Sequence, residues 1–117
     1  MNIRITFAAM AVLGAASAPV FSADASAGKR FFAAQCALYH SAEPNDNGGA
    51  QGPDMKGILG RKAAATSFSY TAALKGSGLT WDGATLVRFL AAPTAVVPGS
   101  SMVIPVAEQK DRDDLVA

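Results

Sequence analysis

Apolar and polar positions divide the chain into an uncharged leader and a series of short, interrupted amphipathic stretches. After Arg4 no charge occurs until Asp24, and between them lie an apolar run from Phe7 to Gly14, small residues and Pro19. A basic start, an apolar middle and a small-residue end predict a secretory leader over residues 1–23, cut after Ser22, Ala23 or Ala25. The uncharged stretch approaches membrane-spanning length, but its Ala, Gly, Ser and Pro content makes a poor span, so removal is expected rather than anchorage. Residues 24–117 then form the domain.

From Asp24, a helix cap, the apolar pattern takes a four-residue period. Gly28, Phe32, Cys36 and His40 fall on one face of a helix predicted to run from Ala25 to Tyr39. Gly28 inside it costs about 1 kcal/mol relative to alanine, which the close approach of another backbone would explain. Glu43 to Gln51 is polar and turn-forming and reads as a loop, and Gly57 to Arg61 as a glycine-punctuated turn. Phe68-Ser69-Tyr70 leads into a short helix, Thr71 to Lys75, stopped near Gly76-Ser77-Gly78. Thr80 or Asp82 caps the next helix, which buries Leu86, Phe89 and Leu90 and ends at Pro93. Val97 to Pro105 is a loop bracketed by prolines, and a charged helix starts near Glu108. The expected fold class is all-α: three to four helices and glycine- and proline-rich loops.

Composition narrows what such a domain does. The 117 residues hold one domain of formal charge +1, and losing Arg4 with the leader leaves 9 residues of each sign. A neutral domain lacks the basic footprint that nucleic acid requires, and it steers partners weakly. One cysteine makes no internal disulfide, so in an exported protein its thiol has another use. Large aliphatic side chains are few for a domain this small, so a cofactor is expected to fill its middle.

The candidate chemistry gathers at Cys36-Ala37-Leu38-Tyr39-His40, which holds the only cysteine and the only histidine. In C-x-x-C-H two cysteines form thioethers to the vinyl groups of a haem and the histidine ligates its iron. Here Tyr39 stands at the second cysteine, and taken alone Cys36 reads as a small buried hydrophobe and His40 as a surface imidazole. After Gly52, the carbonyl of Pro53 is placed to accept the Nδ1 hydrogen of a ligating histidine. Met102, central in the proline-bounded loop, is a candidate thioether ligand, although most methionines fill gaps in a core. Arg61, Tyr70 and Trp81 each end in a donor suited to buried carboxylates, or to ordinary packing at a core boundary.

From Gly28 to Ala117 the chain resembles a class I cytochrome c of the mitochondrial and bacterial medium-length type. The resemblance rests on Gly28 and Phe32 before Cys36, on His40, Gly52-Pro53, Gly57-Ile58-Leu59-Gly60-Arg61 and Phe68-Ser69-Tyr70, on Gly78-Leu79-Thr80-Trp81, and on Pro98-Gly99-Ser100-Ser101-Met102. It implies a single haem c, with Cys36 forming a thioether, His40 and Met102 ligating iron, and the Pro53 carbonyl orienting His40. Arg61, Tyr70, Trp81 and Ser100 would lie near the propionates, and Phe32, Met55, Leu86, Phe89 and Leu90 would line the pocket. It further implies a periplasmic, monomeric electron carrier that is not an enzyme and meets redox partner proteins, without nucleic acid or stable membrane insertion.

Two departures from the family pattern bear on this. Tyr39 leaves one thioether, or a non-covalent haem. The chain also stops after Asp114-Leu115-Val116-Ala117, where the family continues with an aromatic and more helix, so lower stability is expected from the missing burial. Phe89 stands where relatives often carry tyrosine, which removes a hydrogen bond to the Met102 sulfur. The alternatives are a vestigial cytochrome-like module without cofactor, or a weak haem peroxidase if Met102 is labile.

Overall fold

The computed structural model describes Gly14, residues 22–42 and residues 51–117. Of the expected leader only Gly14, Ser22 and Ala23 are described, and of the expected loop Glu43 to Gln51 only Gln51. Five α-helices follow in order: α1 Ala25–Phe31, α2 Ala72–Lys75, α3 Gly83–Ala91, α4 Pro93–Val96 and α5 Gln109–Val116. Among the described residues the one β feature is an isolated bridge between Lys62 and Thr80, so the all-α expectation holds.

Asp24 caps α1 as its residue type predicts, its Oδ1 accepting the backbone N–H of Ser26 at 2.9 Å and of Ala27 at 3.2 Å. The helix does not continue regularly to Tyr39. After Phe31 the ladder widens to a π-turn, Phe32–Cys36, closed by Ala37 N–H to the Phe32 carbonyl at 2.8 Å. Tyr39 and His40 then both donate to the Cys36 carbonyl, ending the helical path.

Gly28 has the reason its position suggested. A Cβ built there would sit 2.0 Å from the Asp114 carbonyl oxygen, so α1 and α5 touch backbone to backbone. The same crossing buries the Asp114 side chain, whose Oδ1 accepts the Asp24 N–H at 2.7 Å across 90 positions of sequence. Lys110, one turn earlier on α5, donates to its other oxygen.

Between α1 and the late loop lies a small core of Trp81, Phe89 and Val97, with the two rings 5.0 Å apart and tilted by 59°. Asp82, not Thr80, caps α3, accepting the Thr85 N–H at 2.7 Å. Its carboxyl is held below the usual range by that bond. Pro93 does more than end α3: Ala92 breaks the path and Pro93 opens α4 at a first-turn position that needs no N–H. Val106 N–H donates to the Leu90 carbonyl, and the Arg112 guanidinium to the carbonyls of Val106 and Ala107. The proline-bounded loop is thereby held between α3 and α5.

Candidate functional site

These elements enclose a largely apolar cavity of about 360 Å³, and all eight residues singled out from the sequence border it: Cys36, His40, Pro53, Arg61, Tyr70, Trp81, Ser100 and Met102. Phe32, Met55, Leu86, Phe89 and Leu90 border it too, as the resemblance implied.

His40 is the best-defined side chain of the group. Its Nδ1 lies 2.8 Å from the Pro53 carbonyl oxygen. That carbonyl only accepts, so Nδ1 carries the hydrogen and Nε2 keeps the lone pair a metal needs. Gly52 makes the approach possible: a Cβ there would lie 2.4 Å from Cε1 and 2.5 Å from Nδ1 of the same ring. Histidine, proline and glycine therefore form one unit, in which backbone fixes both the tautomer and the orientation of the ring.

Cys36 is half-buried, and burial pushes its thiol above the ordinary value, so it stays protonated at neutral pH. Tyr39 is half-buried as well, yet it is not among the described residues that border the cavity. On the late loop Ser100 Oγ donates to the Met102 carbonyl at 3.1 Å while its N–H donates to Val97 at 2.9 Å. Ser100 thus shapes the loop that carries the methionine.

Two of the donors expected at the propionates, Arg61 and Tyr70, have protein partners of their own. Arg61 donates to the carbonyls of Asp54, at 2.9 Å, and Lys56, with the Asp54 carboxylate 3.6 Å away. Tyr70 shares a 2.5 Å hydrogen bond with Thr66 Oγ1. Sequence reasoning missed other parts of the wall: Leu74 from α2, and Leu115 and Val116 from α5, border the cavity. Each belongs to the few large apolar side chains on a short or strongly charged helix, and that isolation was the available signal.

No protein-family model matches the chain. Relatives are nevertheless plain. A cytochrome c of Tetrahymena pyriformis is 40% identical over 95 residues, covering 80% of this chain and 84% of its own. A cytochrome c2 of Rhodomicrobium vannielii is 40% identical over 114 residues, covering 92% and 90%. The chain belongs to the class I cytochrome c family. The solved cytochrome cH from Methylobacterium extorquens agrees in three dimensions, with a TM-score of 0.69 at 43% identity over 80% of this chain and 93% of its own. As a member, this cytochrome carries single electrons on one haem c and is not an enzyme.

The residues present fit that group. The cavity offers a soft thioether, an imidazole in the ligating tautomer and one thiol, on walls otherwise mainly apolar.

Proposed function

We propose that this cytochrome holds haem iron between His40 Nε2 and the Met102 sulfur, with Cys36 forming its one thioether, and that it works as an exported, periplasmic carrier between protein partners. The observation that carries this reading is the His40 Nδ1 bond to the Pro53 carbonyl beside Gly52, which leaves Nε2 as the ring nitrogen for iron in a cavity that Met102 also borders. When bound, the haem supplies a one-electron couple, and His/Met ligation raises its potential. The chain's residues do the rest. Pro53 orients His40, Ser100 shapes the Met102 loop, Arg61 and Tyr70 stiffen the wall, and the buried Trp81–Phe89 pair packs against the cavity. His40 and Met102 together would hold the iron and leave small substrates no open site.

Partner contact is proposed at the cavity's rim. Leu38, Leu59, Val103 and Ile104 are large apolar residues with more than half of their surface exposed. Leu38 lies between Cys36 and His40 in sequence, Val103 follows Met102, and Leu59 borders the cavity. An exposed apolar set beside the ligands suits brief, neutral docking. Export is supported by the leader pattern, and no helix among the described residues is long and apolar enough to cross a membrane.

The test is a pyridine haemochrome spectrum of the exported protein and two variants. One thioether leaves one vinyl conjugated with the porphyrin, so Tyr39→Cys is expected to shift the band to shorter wavelength. Met102→Ala is expected to change the ferric spectrum of the intact protein. Colourless protein, or a ferric spectrum indifferent to Met102, would overturn the assignment.

A further inference from the structure

We infer that the leader is removed by hydrolysis of the Ser22–Ala23 peptide bond, so that the mature chain starts at Ala23 and retains Asp24 as the tie between α1 and the buried Asp114. This rests on the export reading above. Water is added across the amide in an endopeptidase of the secretory route; the new carboxyl stays on Ser22, and the new amine on Ala23 takes up a proton.

Two independent constraints lead there. The first acts at the cut, which the peptidase makes in an extended chain and which calls for small residues just before it and two positions further upstream. A cut after Ala25 meets this with Ala25 and Ala23, a cut after Ser22 places Ser22 before it and mid-sized Val20 upstream, and a cut after Ala23 places bulky Phe21 at the upstream position. By residue size alone Ala25 would be chosen.

The second bears not on the peptidase but on which cut leaves a stable folded product. Cutting after Ala25 removes Asp24, and with it two separate sets of bonds. The Asp24 N–H donates to Asp114 Oδ1 at 2.7 Å, and Asp114 is only 3% exposed. The Asp24 carboxylate meanwhile accepts from Ser26 and Ala27 at the start of α1. A chain starting at Ser26 would leave Asp114 with Lys110 alone as its recorded side-chain partner, and α1 without its cap. A chain starting at Ala23 keeps both sets, and Ser22 and Ala23 are exposed and outside any helix.

The experiment expresses the full chain with haem-maturation factors in a Gram-negative host and weighs the purified periplasmic protein. The mass expected is that of a chain beginning at Ala23; a start at Asp24 or Ser26 overturns the inference. An uncut chain overturns the leader reading itself, which the mass also reveals. A second measurement fuses a foreign leader directly to Ala23 or to Ser26 and compares melting of the two products. The Ser26 product is expected to melt at least about 4 °C lower, and Asp114→Asn to lower Tm more in the Ala23 product than in the Ser26 product. Equal melting, or equal effects of Asp114→Asn, would show that Asp24 anchors nothing.

Discussion

Gly52 shows how much a single hydrogen in place of a methyl can decide. The His40 ring lies where any β-carbon at position 52 would have to be. Gly52→Ala should therefore push the imidazole off the Pro53 carbonyl, lower the haem-to-protein ratio of the exported protein, and cost about 1–3 kcal/mol of stability by overpacking. Haem content by absorbance and a denaturant titration check both effects. At this scale the site was largely legible. A chain with one histidine and one cysteine leaves little choice of residue, and the proline carbonyl announces its partner by chemistry alone. Side-chain partnerships were not legible: Arg61, Tyr70 and Ser100 are as suited to a propionate as to a carbonyl or a hydroxyl. Only three-dimensional neighbours reveal that Asp54, Lys56, Thr66 and Met102 take up their donors.

Among the elements, α1 and α5 define the frame. Gly28→Ala would drive a methyl into the Asp114 carbonyl, and backbone cannot swing aside as a side-chain tip does. Although alanine favours a helix by about 1 kcal/mol over glycine, the substitution should destabilise the protein by roughly 1–3 kcal/mol net, readable as a lower urea midpoint with an unchanged slope. The existence of the helices and their caps follows from Asp24, Thr71 and Asp82, whose side chains accept as their residue types predict. The π-turn over Phe32–Cys36 could not be read in advance. Periodicity continues through it undisturbed, so the sequence carries no mark of the widening. Pro93 was read as a stop, but proline serves equally as a first helical residue, and Ala92 supplies the break.

For the molecule as a whole, charge makes two predictions. The Asp114 carboxyl is held below its ordinary value by the Lys110 ammonium first and the Asp24 N–H second. A depressed carboxyl stabilises the fold above its ordinary value of about 4 and loses that contribution as pH falls through the folded value. Asp114→Asn should therefore weaken the protein at pH 7, and the gap to wild type should narrow as the pH falls below about 4, as urea midpoints at pH 7 and pH 3 would show. Balanced charge in the mature chain makes the second prediction. Electron-transfer rates with a protein partner should change by less than about threefold between low and physiological salt, because little long-range attraction exists to be screened. Stopped-flow measurement across a salt series checks it.

The 90-position span of the Asp24–Asp114 bond also sets what the closed frame costs in chain entropy. Closing a loop of that length costs on the order of 4 kcal/mol of chain entropy. Until the cofactor fills the middle, that cost stands against few contacts, so the two ends have little reason to meet. On the haem-binding reading proposed above, the attachment segment would stay open to the maturation machinery until the first helix meets the last.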